Sequence, residues 1–185
     1  MTDSIYSQLK HFWSIEVTGN KPYSLLRTLR IAFGSRRKNF YFRYRLAYVL
    51  YRSKNRLARK LAKSINKRLM NKYALDIGLD ANIGEGLTVA HFTGITITGH
   101  ANIGRNFVIR QNTTLGIDNG DTAFIEIGDN VEIGANSCIM AKKHITIGHN
   151  VIVGAMSFVN ADIPDNTVFI TEKTSRSWLR ANDFR

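Results

Sequence analysis

IEIGDNVEIGANSCI, residues 125–139, sets Ile127, Ile133 and Ile139 six apart and follows the first two with glycine. A helix repeats its apolar residues at steps of three and four, and an amphipathic strand at steps of two, so a strict six belongs to neither. It is the period of a hexapeptide solenoid, where each repeat gives one short strand and one turn and its aliphatic side chain points into a shared core. Outward from this stretch the same position recurs at Ile77, Ile83, Val89, Ile95, Ile103, Ile109, Leu115, Ile147, Val153 and Val159. The exceptions to a step of six are eights at Ile95–Ile103 and Ile139–Ile147 and a twelve at Leu115–Ile127. The eights predict two-residue bulges at Thr98–His100 and Lys142–His144. The twelve predicts an extruded loop over 116–124, with turn chemistry in Asp118–Asn119–Gly120–Asp121. Glycine follows the aliphatic residue in 8 of 13 cases, where a background of ~7% would give about one; these glycines are read as permitting the tight turns. Four residues after the aliphatic position comes a small or apolar one, as in Ala81, Leu87, Thr93, Phe107, Thr113, Val131, Ser137, Val151 and Ser157.

The first 75 residues have a different texture. Lys21–Pro22 after Gly19–Asn20 marks a helix start, Gly34 a stop, and Leu46, Leu50, Leu57, Leu61, Ile65 and Leu69 fall at helical spacings. Helices are predicted over 3–15, 22–33 and 40–72. The chain is therefore divided into a basic α-helical region (1–75), a β-helix (76–170) and a tail (171–185). Charge follows the same boundary: residues 1–75 carry 18 Lys/Arg against Asp3 and Glu16, while 76–185 carry 8 against 12 acids, within a net charge of +12. Such a footprint fits an anionic partner. No nucleic-acid recognition motif accompanies it, and the interleaved aromatic and basic residues of NFYFRYRLAYVLYR (39–52) suit either an anionic membrane surface or packing on the solenoid. The N-terminus lacks the charged and apolar regions of an export signal, and no long uncharged apolar run occurs, so a cytoplasmic location is expected, with peripheral contact at the inner membrane face. The single cysteine, Cys138, is read as a small buried hydrophobe.

The run ALDIGLDANIGEGLTVAHFTGITITGHANIG (74–104), then QNTTLG (111–116), IEIGDNVEIGANSCI and IGHNVIVGAMSFVNADIPDN (147–166), resembles the serine acetyltransferase branch of the hexapeptide acyltransferases. That branch includes O-acetyltransferases of surface polysaccharides. The resemblance implies a mainly β fold, a left-handed parallel β-helix, with acetyl-CoA as acyl donor and a homotrimer. It also implies that His91, followed by Thr93 and Gly94, is the general base, and that Asp76, fifteen residues earlier, orients it. For coenzyme A it implies Gly134–Ala135 and Gly154–Ala155 as the turns along the pantetheine arm, Gly116 at the mouth of the loop, and Lys142 toward the phosphates.

Three departures shape the acceptor. Ala90 stands where serine acetyltransferases place an aspartate before the base, Ala123–Phe124 where they place an Arg-His pair, and TEKTSRSW follows Ile170 where they place a Gly-x-Pro-Ala segment. A zwitterionic amino acid needs an anion for its ammonium and a cation for its carboxylate. The expected acceptor is therefore a sugar hydroxyl of a capsule, O-antigen or exopolysaccharide unit, as a glycan or lipid-linked sugar. Serine acetyltransferase proper and a non-catalytic scaffold are the alternatives. No metal is expected, because His144 and His149 find no third imidazole at a regular offset.

Overall fold

In a computed structural model of the protein, residues 4–19, 21–118, 122–172 and 174 are described. Four helices come first: α1 (Ile5–Glu16), α2 (Leu25–Gly34), α3 (Arg36–Tyr51) and α4 (Arg56–Tyr73). Each begins at a short polar side chain that caps its first free N–H groups, namely Ser4, Ser24, Ser35 and Asn55. The segment expected as one helix over 40–72 is two. Asn55 takes the Leu57 and Ala58 N–H groups and restarts the helix after a turn at Arg52–Lys54, although the apolar spacing runs on across the break.

The solenoid has three faces. The first is built from Leu75–Ile77, Ile95–Ile97, Thr114–Ile117, Cys138–Ala141 and Phe158–Val159. The second holds Asn82–Ile83, Ala101–Ile103, Phe124–Ile127 and His144–Ile147; the third holds Thr88–Val89, Val108–Ile109, Glu132–Ile133, Ile152–Val153 and Val168–Phe169. All pairings are parallel, and the thirteen aliphatic positions are at most 2% exposed. About five turns share one core, each Ile or Val contributing about 1.5–3 kcal/mol of burial. Cys138 lies outside that core: it sits half-buried on the outer side of the first face, and burial pushes its thiol pKa up.

Three sequence readings are corrected here. The first two-residue insertion is not at Thr98–His100. Strand register pairs Val89 with Ile109 and Ile97 with Leu115, so the extra residues fall between Val89 and Ile97, at the corner that carries His91. Ile95 and Ile97 are both buried, which is why the sequence period alone fits either phase. Thr93, expected to be an inward small residue, is exposed in that bulge. The second insertion does lie at Lys142–Lys143, and the extruded loop is shorter than 116–124, because strands run to Ile117 and resume at Phe124. Its predicted turn residues Asn119–Asp121 lie outside the described residues.

The glycines also have another reason than turn conformation. Positive φ is taken chiefly by asparagines, at 106, 112, 130, 136, 150 and 166. Their side chains form ladders up two corners, Asn106 Nδ2 donating to Asn130 Oδ1 at 2.9 Å, Asn130 to Asn150 and Asn150 to Asn166 at 3.0 Å on one, and Asn112 Nδ2 to Asn136 Oδ1 at 3.1 Å on the other. Gly104 and Gly128 have ordinary φ but sit where coils touch: a Cβ on Gly128 would stand 2.8 Å from the Gly148 carbonyl carbon and the His149 nitrogen.

The helices close one end of this prism. Helix α3 is buried nearly all round, so the aromatic run proposed for a membrane surface is the centre of the helical packing. Trp13 stacks on Phe42 at 4.4 Å and Phe40 on Tyr44 at 5.6 Å. Arg45, wholly buried, donates from Nε and Nη2 to Glu16 at 2.8 and 2.6 Å and from Nη1 to the Ile83 carbonyl at 2.8 Å, while Glu16 Oε1 accepts from the Leu87 N–H at 3.1 Å. Burial works against the guanidinium charge, but the attraction and hydrogen bonds of Glu16 outweigh it and hold the Arg45 pKa above its ordinary value.

Arg45→Met should cost about 3–5 kcal/mol by stranding the Glu16 carboxylate, and Glu16→Leu/Arg45→Met should recover part of it, as read by denaturant unfolding of both variants. Gly128→Ala should cost about 1–3 kcal/mol by overpacking. In the same assay Gly34→Ala, which meets nothing within 4 Å, should stay within about 0.5 kcal/mol of the parent.

Candidate active site

The corner between the third and first faces is the edge of interest. Successive coils stack there by backbone hydrogen bonds: Ala90 N–H to Ile109 O, Asn112 N–H to Thr93 O, Asn136 N–H to Gln111 O and Met156 N–H to Ala135 O. This places Ala90–Gly94, Arg110–Thr113, Gly134–Ser137 and Gly154–Ser157 in one column. Of the residues singled out from sequence, His91, Gly134, Ala135, Gly154 and Ala155 therefore share an edge. The imidazole is at the helix end and the small residues are at the far end.

His91 is exposed, and no side-chain hydrogen bond engages its ring among the described residues. Its corner is nonetheless fixed from behind. Phe92 packs 4.9 Å from Phe40 and 5.1 Å from Tyr73, Gly94 N–H donates to Ala74 O at 2.7 Å, and Gly94 itself takes a φ of +61°. Before the histidine, Arg37 Nη2 donates to the Val89 carbonyl at 3.0 Å and the Val89 N–H donates to the Tyr41 hydroxyl at 2.8 Å. The two-residue bulge thus projects the imidazole while α3 and α4 hold its base.

Asp76 is exposed on the outer side of the first face, paired in register with Thr96. No hydrogen bond or ion pair joins it to His91 among the described residues. Gly116 is on the same face, covered by Met140, whose Cε would be 3.2 Å from an added Cβ. Lys142 stands at a different corner, between the first and second faces, where it is exposed and 3.6 Å from Asp118. Within one chain these two are apart from the His91 edge. Ala90 and Ala123 occupy the positions noted as departures, and Phe124 stacks on His144 at 5.8 Å. His149 Nδ1 accepts from the Asp129 N–H at 2.9 Å, and among the described residues no cluster of three His, Cys, Asp or Glu could hold a metal ion.

Sequence reasoning did not find Arg37, Tyr41 or Gln111. The first two come from α3 and reach the edge only through tertiary packing. Gln111 belongs to the coil stacked on the His91 corner, and its Oε1 is buried without a hydrogen-bond partner. It lay within the QNTTLG run but no periodic signal sets it apart.

No family model matches the chain. Individual relatives do. The mitochondrial serine acetyltransferase 3 of Arabidopsis thaliana is 36% identical over 130 residues, covering 69% of this chain and 32% of the relative. The serine acetyltransferase of Staphylococcus epidermidis is 31% identical over 127 residues, 68% of this chain and 57% of the relative. The chain thus spans between a third and three fifths of these relatives' length. Among solved structures, soybean serine acetyltransferase complexed with serine superposes with a TM-score of 0.73 at 28% identity, over 90% of this chain and 68% of that one. With the likeness running through helices and coils alike, the chain belongs to the serine acetyltransferase family of hexapeptide-repeat β-helix acyltransferases.

Proposed function

We propose that the chain transfers acetyl from acetyl-CoA to a hydroxyl, with His91 as general base and L-serine as the first acceptor to consider. One observation carries this reading: an exposed imidazole without a hydrogen-bond partner among the described residues stands at one end of an edge whose far rungs are the small turns Gly134–Ala135 and Gly154–Ala155. Those turns leave room for an extended thioester arm to lie along the coils toward the base. The family supports the same chemistry, and the soybean relative's structure is complexed with serine.

The steps follow from the imidazole. His91 takes the proton of the acceptor hydroxyl as its oxygen attacks the thioester carbonyl; the C–S bond then breaks, and the imidazolium returns the proton to the departing thiolate. Asp76 is a positioning charge in this scheme, one that favours the charged ring in the transition state. Gly116 and Lys142 stand off the edge, so their roles toward coenzyme A belong to a homotrimer, in which a neighbouring protomer presents them as the second wall.

The sugar acceptor expected from sequence is the second reading. That relatives are named as serine acetyltransferases is the reason to take serine first. Ala90 and the Ala123–Phe124 pair are the observations in its favour, since they give an ammonium and a carboxylate no counter-charge at those two positions.

Thiol release from acetyl-CoA separates these readings. Turnover with L-serine that vanishes in His91→Ala upholds the first; turnover with surface glycans and none with serine moves the acceptor to a sugar; no turnover with either, for a folded chain, removes the enzymatic reading. His91→Ala should lower kcat by about 10²–10⁴ with little change in KM for acetyl-CoA. Asp76→Asn should lower kcat less than His91→Ala does, with little change in KM for acetyl-CoA, because it removes a charge that favours the imidazolium formed in the transition state.

A further inference from the structure

Away from the His91 edge, the start of α4 combines apolar exposure with concentrated positive charge. The helix buries Ala62, Leu69 and Tyr73 against α3 and the first coil, where Asn66 also donates to the Ile77 carbonyl at 3.1 Å. Its outer flank carries Leu57, 74% exposed, and Leu61, 53% exposed. Around them stand Arg56, Lys60, Lys63, Lys67 and Arg68, in a stretch where no acid occurs between Glu16 and Asp76.

The turn before the helix adds a recess of about 400 Å³ whose lining has three cations, Arg52, Lys54 and Arg59, against one carboxylate, Asp80, together with Tyr51, Ser53 and Leu79. Ser53 Oγ is buried there without a hydrogen-bond partner. The Asp80 carboxylate accepts from the Tyr51 hydroxyl at 3.2 Å, and Arg59 lies 5.1 Å over the Tyr51 ring. Lys54 and Arg59 make no ion pair among the described residues. They flank the positive end of the helix dipole, which favours an anion at this end.

Charge and shape select among occupants. A second copy of this chain docked through the same face would meet its own positive charge and be repelled. A nucleic acid would satisfy the cations but give two exposed leucines nothing apolar to enter. A bilayer of anionic phospholipid offers both a phosphate layer and an acyl boundary. We infer that the α3–α4 turn and the first half of α4 dock this protein on an anionic phospholipid surface, a lipid phosphate seated at Ser53, Lys54 and Arg59 and the Leu57 and Leu61 side chains entering the acyl boundary. The docking does not depend on which acceptor is acetylated.

Cosedimentation of the full chain with vesicles tests this. Vesicles of phosphatidylcholine mixed with phosphatidylglycerol should pellet the protein in a salt-sensitive way, and phosphatidylcholine alone should not. Lys54→Gln/Arg59→Gln should weaken binding about 25-fold, at about fivefold for each lost charge. Leu57→Ser/Leu61→Ser, at exposed positions, should weaken it at least about tenfold with unchanged circular dichroism and thiol-release activity. Undiminished pelleting of the leucine variant would overturn the insertion. So would a change in its sedimentation coefficient in the absence of lipid, which would make the flank a contact between copies. Tighter binding to transfer RNA than to anionic vesicles, indifferent to the leucines, would assign the face to nucleic acid instead.

Discussion

The contact between Glu16 and Arg45 joins everything else in this molecule. Glu16 ends α1, Arg45 sits in the middle of α3, and between them they also satisfy the Ile83 carbonyl and the Leu87 N–H of the first coil. A charge pair without solvent is an expensive device, and it repays its desolvation only when every donor and acceptor is met. Here the guanidinium also lies 4.0 Å over the Phe12 ring, adding a favourable face for its charge. The pair therefore specifies one docking of helices on solenoid rather than a merely greasy one. Glu16 is one of only two acids in the first 75 residues, so the basic region spends its single described carboxylate on orientation.

That orientation reaches the edge that carries His91. The same helix that carries Arg45 supplies Tyr41 to the Val89 N–H and Phe40 to Phe92, the residues on either side of the His91 bulge. A two-residue insertion would otherwise be the least constrained point of a solenoid corner. Packing α3 and α4 behind it turns an insertion into a fixed projection, which a base needs if it is to meet its proton in one geometry.

Much of this was legible in the chain. A period of six specified coils and core, and the change of texture near residue 75 located the junction with the helices. The phase of the period was not legible at ITI (95–97), because two isoleucines two residues apart both face inward and only strand pairing tells which one continues the repeat. The role of the glycines was misread for a related reason: close approach between coils is a property of neighbours some twenty residues apart, and sequence shows only the turn beside it. His91 was legible through its motif, and the edge it shares with Gly134 and Gly154 through the period. Arg37 and Tyr41 were not, since helix-to-coil contacts leave no periodic trace. The aromatic run of α3 was ambiguous because amphiphilic composition alone does not separate a buried helix from a surface one; the flank of α4 carried less aromatic signal and more exposure.

Among the described residues the prism has one covered end and one uncovered one. Helices cap the first coil, while at the other end Val168–Phe169 pairs with Ile152–Val153 on one side and, among the described residues, with no strand on the other. In a stack of this kind each rung is stabilised by its neighbours, so a rung that has, among the described residues, a neighbour on one side only is held by fewer contacts than those toward the helices. His91 therefore stands on the rungs that the helices back. The small turns at Gly154–Ala155 stand toward the other end, with Met156, Phe158 and Ile170 exposed around them. A ligand laid along this edge would bridge a rung that the helices back and one that they do not, and in doing so would clamp the last coil onto the rest.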